Sequence, residues 1–133
     1  MNRQEEMHLA QALSEAIWLR DHAENMDRQQ LFDAVVSLGE YKLFSNRQIS
    51  AITNGLVPHK IVGELIGKKN KTGGNLNVGT LDILRNILYS RANHRTDYNL
   101  VSDAVGLGTS QGMVARLTGV NQSSISKSLD KNK

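Results

Sequence analysis

The chain of 133 residues has no cysteine. Disulfides and thiolate metal centres are therefore excluded, which fits a reducing compartment. Proline occurs once, at position 58, so little interrupts helical periodicity elsewhere. Aromatic residues make up 5% of the sequence, so a core has to be assembled from Leu, Ile, Val and Ala. No run of about 18 apolar residues occurs, and the first ten residues hold no apolar stretch of the kind a signal peptide needs. The expectation is a cytoplasmic protein without a membrane partner. Long alternating runs of β-branched residues are also missing, which argues against strands.

What the sequence does contain is an uneven charge. Residues 1–66 carry six Lys/Arg and nine Asp/Glu, whereas residues 67–133 carry ten Lys/Arg and four Asp/Glu. Seven of the nine acids lie between Glu5 and Asp33. Phosphates repel such a segment, so the first helix is expected to face away from any nucleic acid.

Helical spacing fills the rest. Leu9, Leu13, Ile17 and Trp18 predict one apolar face of a helix over about 3–24, with Trp18 covering a small core. Leu31, Val35 and Leu38 predict a second helix, ended by Gly39 as a C-terminal cap. Two short helices follow, over about 46–54 and 58–66. The polar, basic, glycine-rich stretch from Gly67 to Asn75 reads as a linker. Periodicity resumes at Val78, Leu81, Leu84 and Leu88, with Asn75 or Asn77 as a cap. Short helices are then predicted over 97–105, 110–118 and 122–130. The fold class is all-α: two small helical DNA-binding domains, 1–66 and 76–133, each containing a helix-turn-helix, joined by the linker 67–75. The halves read as weak repeats, Gly55-Leu56 with Ile61 and Leu65 matching Gly119-Val120 with Ile125 and Leu129.

The sharpest signal runs from Gln111 to Leu129. A helix-turn-helix needs a small residue where its helices cross, here Ala115, and a residue tolerating positive φ in the turn, here Gly119. Val114, Leu117, Val120, Ile125 and Leu129 supply the buried face. Asn121 is placed to cap the second helix. The exposed residues Gln122, Ser123, Ser124 and Lys127 are the short hydrogen-bonding and cationic groups expected against base edges and phosphates. Ser110 and Gln111 open the preceding helix and join this set.

The first unit is looser. Ser45 or Asn46 caps a helix that exposes Arg47. Aligning Gly55 with Gly119 puts Ala51 on Ala115 but leaves Ile49 and Ile52 out of step, as if the turn were one residue longer. Pro58 suits the first turn of a second helix, where its missing N–H costs nothing, and His59 and Lys60 follow it. In the linker, Lys68, Lys69 and Lys71 are candidates for phosphate or minor-groove contact, or form a solvated spacer.

Other chemistry is not indicated. His8, His22, His59 and His94 are scattered without carboxylates at metal-ligand spacing. The serines at 123, 124, 126 and 128 have no base arrangement beside them. Gly106, Gly108 and Gly112 follow no strand, so they are not a dinucleotide loop. The expectation is a protein that is not an enzyme and has no catalytic residues, metal or cofactor.

Asn46-Arg47-Gln48-Ile49, the Thr72-Gly73-Gly74 segment and Val114-Ala115-Arg116-Leu117-Thr118-Gly119-Val120 together resemble the immunity repressors of temperate mycobacteriophages, over about residues 3–130. The resemblance implies a lysogeny repressor of the bacterial host cytoplasm. Such a protein binds operators and short asymmetric stoperator sites as a monomer, one module per stretch of major groove. The reading residues it implies are His59, Lys60, Asn121, Gln122, Ser123, Ser124 and Lys127. The irregular turn at Thr53-Asn54-Gly55 departs from the pattern. Alternatives are a helical protein-interaction adaptor using the acidic first helix and Trp18, or a DNA-binding excisionase or partition protein.

Overall fold

The computed structural model describes residues 1–67 and 73–131, and the regular secondary structure among them is all helical, with no strand. The helices are α1 (Arg3–His22), α2 (Arg28–Glu40), α3 (Asn46–Ile52), α4 (His59–Ile66), α5 (Leu81–Ala92), α6 (Tyr98–Gly106), α7 (Gln111–Thr118) and α8 (Gln122–Lys131). Single turns of 3₁₀ helix follow α1 and precede α5. Two compact units divide the chain. One is Ser14–Thr72, and the other combines Met1–Leu13 with Gly73–Lys133.

In the unit Ser14–Thr72, α4 packs on α2 and α3. Asp27 starts α2 with a capping box, its carboxylate accepting from the Gln30 N–H while the Gln30 side chain accepts from the Asp27 N–H. Leu31, Val35 and Leu38 turn inward as their spacing predicts. Gly39 does not end this helix. It lies inside α2 and is buried, and a Cβ there would come within 2.7 Å of Ile66 Cγ2. The glycine serves close helix approach, and the left-handed residue after α2 is Lys42.

Trp18 is 52% exposed, contrary to the core role expected for it. The buried stripe of α1 runs through Ala12, Ala16 and Leu19 and on to Ala23 in the 3₁₀ turn after it, all at or below 1% exposure. At 100° per residue Trp18 lies about 200° around the helix from Ala16. It stacks on the His22 ring instead, with centroids 4.9 Å apart.

Tyr41 closes α2 near Glu15 of α1, whose carboxylate also accepts from Ser37 Oγ at 3.2 Å. Burial, then the charge of Glu15 and the hydrogen bond to it, then Glu40, hold the phenol above its ordinary pKa. A phenol raised in the folded state stabilises the fold fully below the unfolded pKa. That contribution is lost as pH rises through the folded value. Urea midpoints measured from neutral pH into strong alkali should therefore fall more steeply for the native chain than for Tyr41→Phe. Parallel curves would dismiss the coupling.

In the other unit, α5 packs on α6 and α7, and α8 packs on α6 and α7. A polar lattice fixes where the chain enters α5. Asn77 Nδ2 donates to the Leu107 carbonyl at 2.7 Å, the Asn77 N–H donates to Thr109 Oγ1, and the buried hydroxyls of Thr80 and Thr109 lie 2.6 Å apart. The Ser110 N–H donates to the Asn75 carbonyl. Of the two asparagines considered, Asn77 is the one that caps, at the 3₁₀ turn before α5, its Oδ1 accepting from the Gly79 N–H.

The helix pairs α3–α4 and α7–α8 repeat each other on either side of their turns, in a register different from the one expected. Ser45 and Ser110 cap the first helix of each pair, accepting from the N–H three residues on. Eight residues later stand Thr53 and Thr118, both fully buried. Each threonine hydroxyl donates back to its own helix, to the Ser50 and Val114 carbonyls respectively. Each also accepts from a valine N–H across the turn, Val57 and Val120. From those valines the buried residue of the second helix is five positions on, Val62 and Ile125.

The equivalence thus sets Ile49 on Val114, Ile52 on Leu117, Val57 on Val120 and Val62 on Ile125. It does not set Gly55 on Gly119 or Ile61 on Ile125. Leu56 is half exposed, and Ile61 only half-buried. The first pair carries two extra turn residues, Asn54 and Gly55, both at positive φ, and Asn54 Nδ2 donates to the Arg20 carbonyl. The second pair turns on Gly119 alone, at φ +74.

Thr53→Val and Thr118→Val each strand a valine N–H in a buried turn. Each should lower stability by about 1–3 kcal/mol. Thermal unfolding of both variants checks this, and a loss confined to one of them would contradict the equivalence.

Candidate nucleic-acid interface

The repeat places the outward residues of both pairs on common terms. Val62 and Ile125 point into their units, so residues two before and two after each lie about 200° away, opposite the core. These are Lys60 and Glu64 on α4, and Ser123 and Lys127 on α8, all exposed. Flanking them, on the side of the partner helix, are His59 and Gly63, and Gln122 and Ser126. Ser126 Oγ donates to Gln111 Oε1 at 2.7 Å, tying the second helix to the start of the first. The same juncture recurs in the other pair, where a Cβ on Gly63 would lie 3.2 Å from Asn46 Nδ2. Asn46 and Gln111 thus occupy one structural position, as do Gly63 and Ser126.

Of the residues expected to form a site, each pair gathers its own group. His59, Lys60 and the half-buried Asn46 come together in the first, with Arg47 exposed on α3 opposite Ile49. Gln122, Ser123, Lys127 and Gln111 come together in the second. Asn121 accepts through Oδ1 from the Ser123 N–H at 2.9 Å and from Ser123 Oγ at 2.5 Å. The asparagine caps α8 and orients the serine, and its amide nitrogen is what it can offer outward.

Several residues fall elsewhere. Ser45 and Ser110 are half-buried and engaged as caps. Ser124 is half-buried and lies 100° from Ile125 on the flank opposite Ser126, away from the common face. Pro58 is exposed, but it is the N-cap of α4 rather than its first helical residue. Its extended ψ of 151 starts the helix at His59, and its carbonyl accepts from the Val62 N–H. Lys68, Lys69 and Lys71 lie outside the described residues.

Two outward residues escape a reading by motif alone. Ser126 is one helical turn beyond Gln122, and that i, i+4 spacing is the signal that locates it. Glu64 stands in the place of Lys127, which becomes visible only once the register is known.

The turn of the second pair is further braced. An Arg91 Nη1 donates to the Thr118 carbonyl at 3.3 Å, and a Cβ on Gly119 would come within 2.7 Å of that nitrogen and of Met1 Sδ. Gly119 is therefore required by its left-handed backbone, since the Arg91 and Met1 side-chain ends near it can move aside.

Among the described residues no three His, Cys, Asp or Glu side chains are grouped to hold a metal ion, and no helix is long and apolar enough to cross a membrane. The class that fold and site define is an all-helical protein with two matched helix pairs bearing different outward residues. Comparison with family models, curated proteins and solved structures finds no match to the chain.

Proposed function

We propose that the protein is a non-enzymatic, sequence-specific double-stranded DNA-binding repressor whose two helix pairs are helix-turn-helix reading heads. The observation that carries this reading is the repeat itself. Caps, buried threonines and core positions coincide between the pairs, while the outward residues His59, Lys60, Gly63 and Glu64 differ from Gln122, Ser123, Ser126 and Lys127. Duplicated scaffolds with divergent polar faces suit the reading of two different stretches of major groove. Unequal heads on one chain imply an asymmetric site bound by a monomer, because protein symmetry sets site symmetry. The resemblance to mycobacteriophage immunity repressors extends the proposal to a lysogeny repressor acting at operators and stoperators in the host cytoplasm.

Selection from a pool of random DNA tests it. A non-palindromic motif should be enriched, and affinity should fall with salt at a log–log slope of about −5 to −7 if roughly 6–8 phosphates are touched. Recovery of no motif sinks the proposal. Gln122→Ala should lose about 1–3 kcal/mol of base discrimination, since a glutamine amide matches adenine in the major groove. Lys127→Ala should weaken all sequences alike. Identical effects on specific and random DNA would show these roles misassigned.

One observation favours a second reading, an adaptor that binds another protein. Trp18 and His22 line an open cleft of about 550 Å³ with Met26, Gln30 and Asp33. An adaptor would retain no DNA motif in the same selection.

A further inference from the structure

We infer that Glu64 is a base-reading residue of the first helix pair, accepting a hydrogen bond from cytosine N4, and that this pair reads a G·C step. The inference rests on the DNA-binding reading above and specifies its ligand. Among the eight outward positions that the two second helices share, Glu64 is the one acid; the exposed Asp130 of α8 has its counterpart at Gly67, beyond the end of α4. It is exposed, on the side of α4 opposite Val62, in register with Lys127. A carboxylate brought to a DNA surface meets phosphates that repel it, so an acid at this position costs affinity for every sequence. What offsets the cost is a donor, and the cytosine amino group in the major groove is the donor that Glu and Asp side chains match.

Lys60 supports the assignment. It lies one helical turn before Glu64 on the same face, and four residues of helix advance about 6 Å. That is less than two base steps of a duplex, so the two side chains reach the same or adjacent pairs. A lysine donates to guanine O6 and N7, and a glutamate accepts from cytosine N4, so together they match a G·C step. The second pair offers Gln122 and Lys127, and its one acid, Asp130, stands three residues beyond Lys127 near the end of α8, so its half of the site has a different composition. The acid also divides labour. Lys127 attracts phosphates of any sequence, whereas Glu64 penalises all but the right one.

Selection from random DNA with the full-length chain and with Glu64→Gln tests this. The native chain should enrich a motif with a fixed cytosine in one half. Glu64→Gln should switch that position towards adenine, which a glutamine amide matches, and should bind unselected DNA more tightly. On the original site, discrimination for cytosine should drop by roughly 5- to 150-fold. Glu64→Ala should lose the preference without gaining another. A native motif that Glu64→Gln leaves unchanged, with every sequence bound more tightly alike, overturns the inference while the DNA-binding reading stands. No motif from the native chain overturns both.

Discussion

Replacing Ile125 with alanine is expected to lower the stability of its unit by about 2–5 kcal/mol. Ile125 is fully buried and is the one residue of α8 that is, since Leu129 is only half-buried. The rest of α8 is four serines with lysine, aspartate, glutamine and Leu129, a stretch too short to stay helical by itself. Its attachment to α6 and α7 therefore depends on one side chain, one asparagine cap and the Ser126–Gln111 bond. Removing three carbons there leaves a cavity that the turn at Gly119 cannot close. Urea denaturation gives the loss directly. Under the proposed DNA-reading role, the motif selected by this variant should lose one half and keep the other. A stability change under about 1 kcal/mol would mean that α8 is held by something other than Ile125.

The second large effect concerns Gly39. Gly39→Leu should destabilise the unit Ser14–Thr72 by about 3 kcal/mol, because Cβ alone would stand 2.7 Å from Ile66 Cγ2 in a buried helix contact. Gly39→Ala separates two accounts of this glycine. On an exposed helix the alanine would stabilise by about 1 kcal/mol through propensity. Here it should destabilise, and Ile66→Ala should suppress the damage, giving a coupling of about 0.5–3 kcal/mol in a double-mutant cycle. A stabilising Gly39→Ala would refute the close approach of α2 and α4.

These two positions mark how far the sequence speaks for itself. Large aliphatic residues at helical spacing locate the helices well, because Leu, Ile and Val are buried for the same reason wherever they occur. Ser45, Asp97 and Ser110 declare helix starts, since a short polar side chain before an apolar run satisfies backbone N–H groups. What stays hidden depends on small residues. The stripe Ala12, Ala16, Leu19 and Ala23 is inconspicuous beside Trp18, so the tryptophan reads as core when it is surface. Gly39 looks like punctuation because glycine after an apolar run often is; only the position of Ile66 reveals its packing role.

The repeat is legible in outline and misleading in detail. Matching glycines is natural, yet Gly55 belongs to an insertion and Gly119 does not, and the constraint that truly recurs is a threonine hydroxyl. The outward faces follow from the register once it is known. Without it, Ser124 reads as equivalent to Ser123, although one residue of helix carries it 100° away. Glu64 is passed over because an acid runs against the basic surface that DNA binding suggests.

The split of α1 between the two units, after Leu13, gives the chain an order of assembly. On the ribosome, residues 14–72 emerge as a contiguous stretch and are able to settle early. Residues 1–13 are made before that stretch, yet they belong with a segment that begins sixty positions later. They wait for their partners until that segment is made, so the unit containing α7 and α8 closes after the other. A bulky fusion before Met1 should therefore disturb not the nearer helix pair, α3–α4, but the distant one, α7–α8.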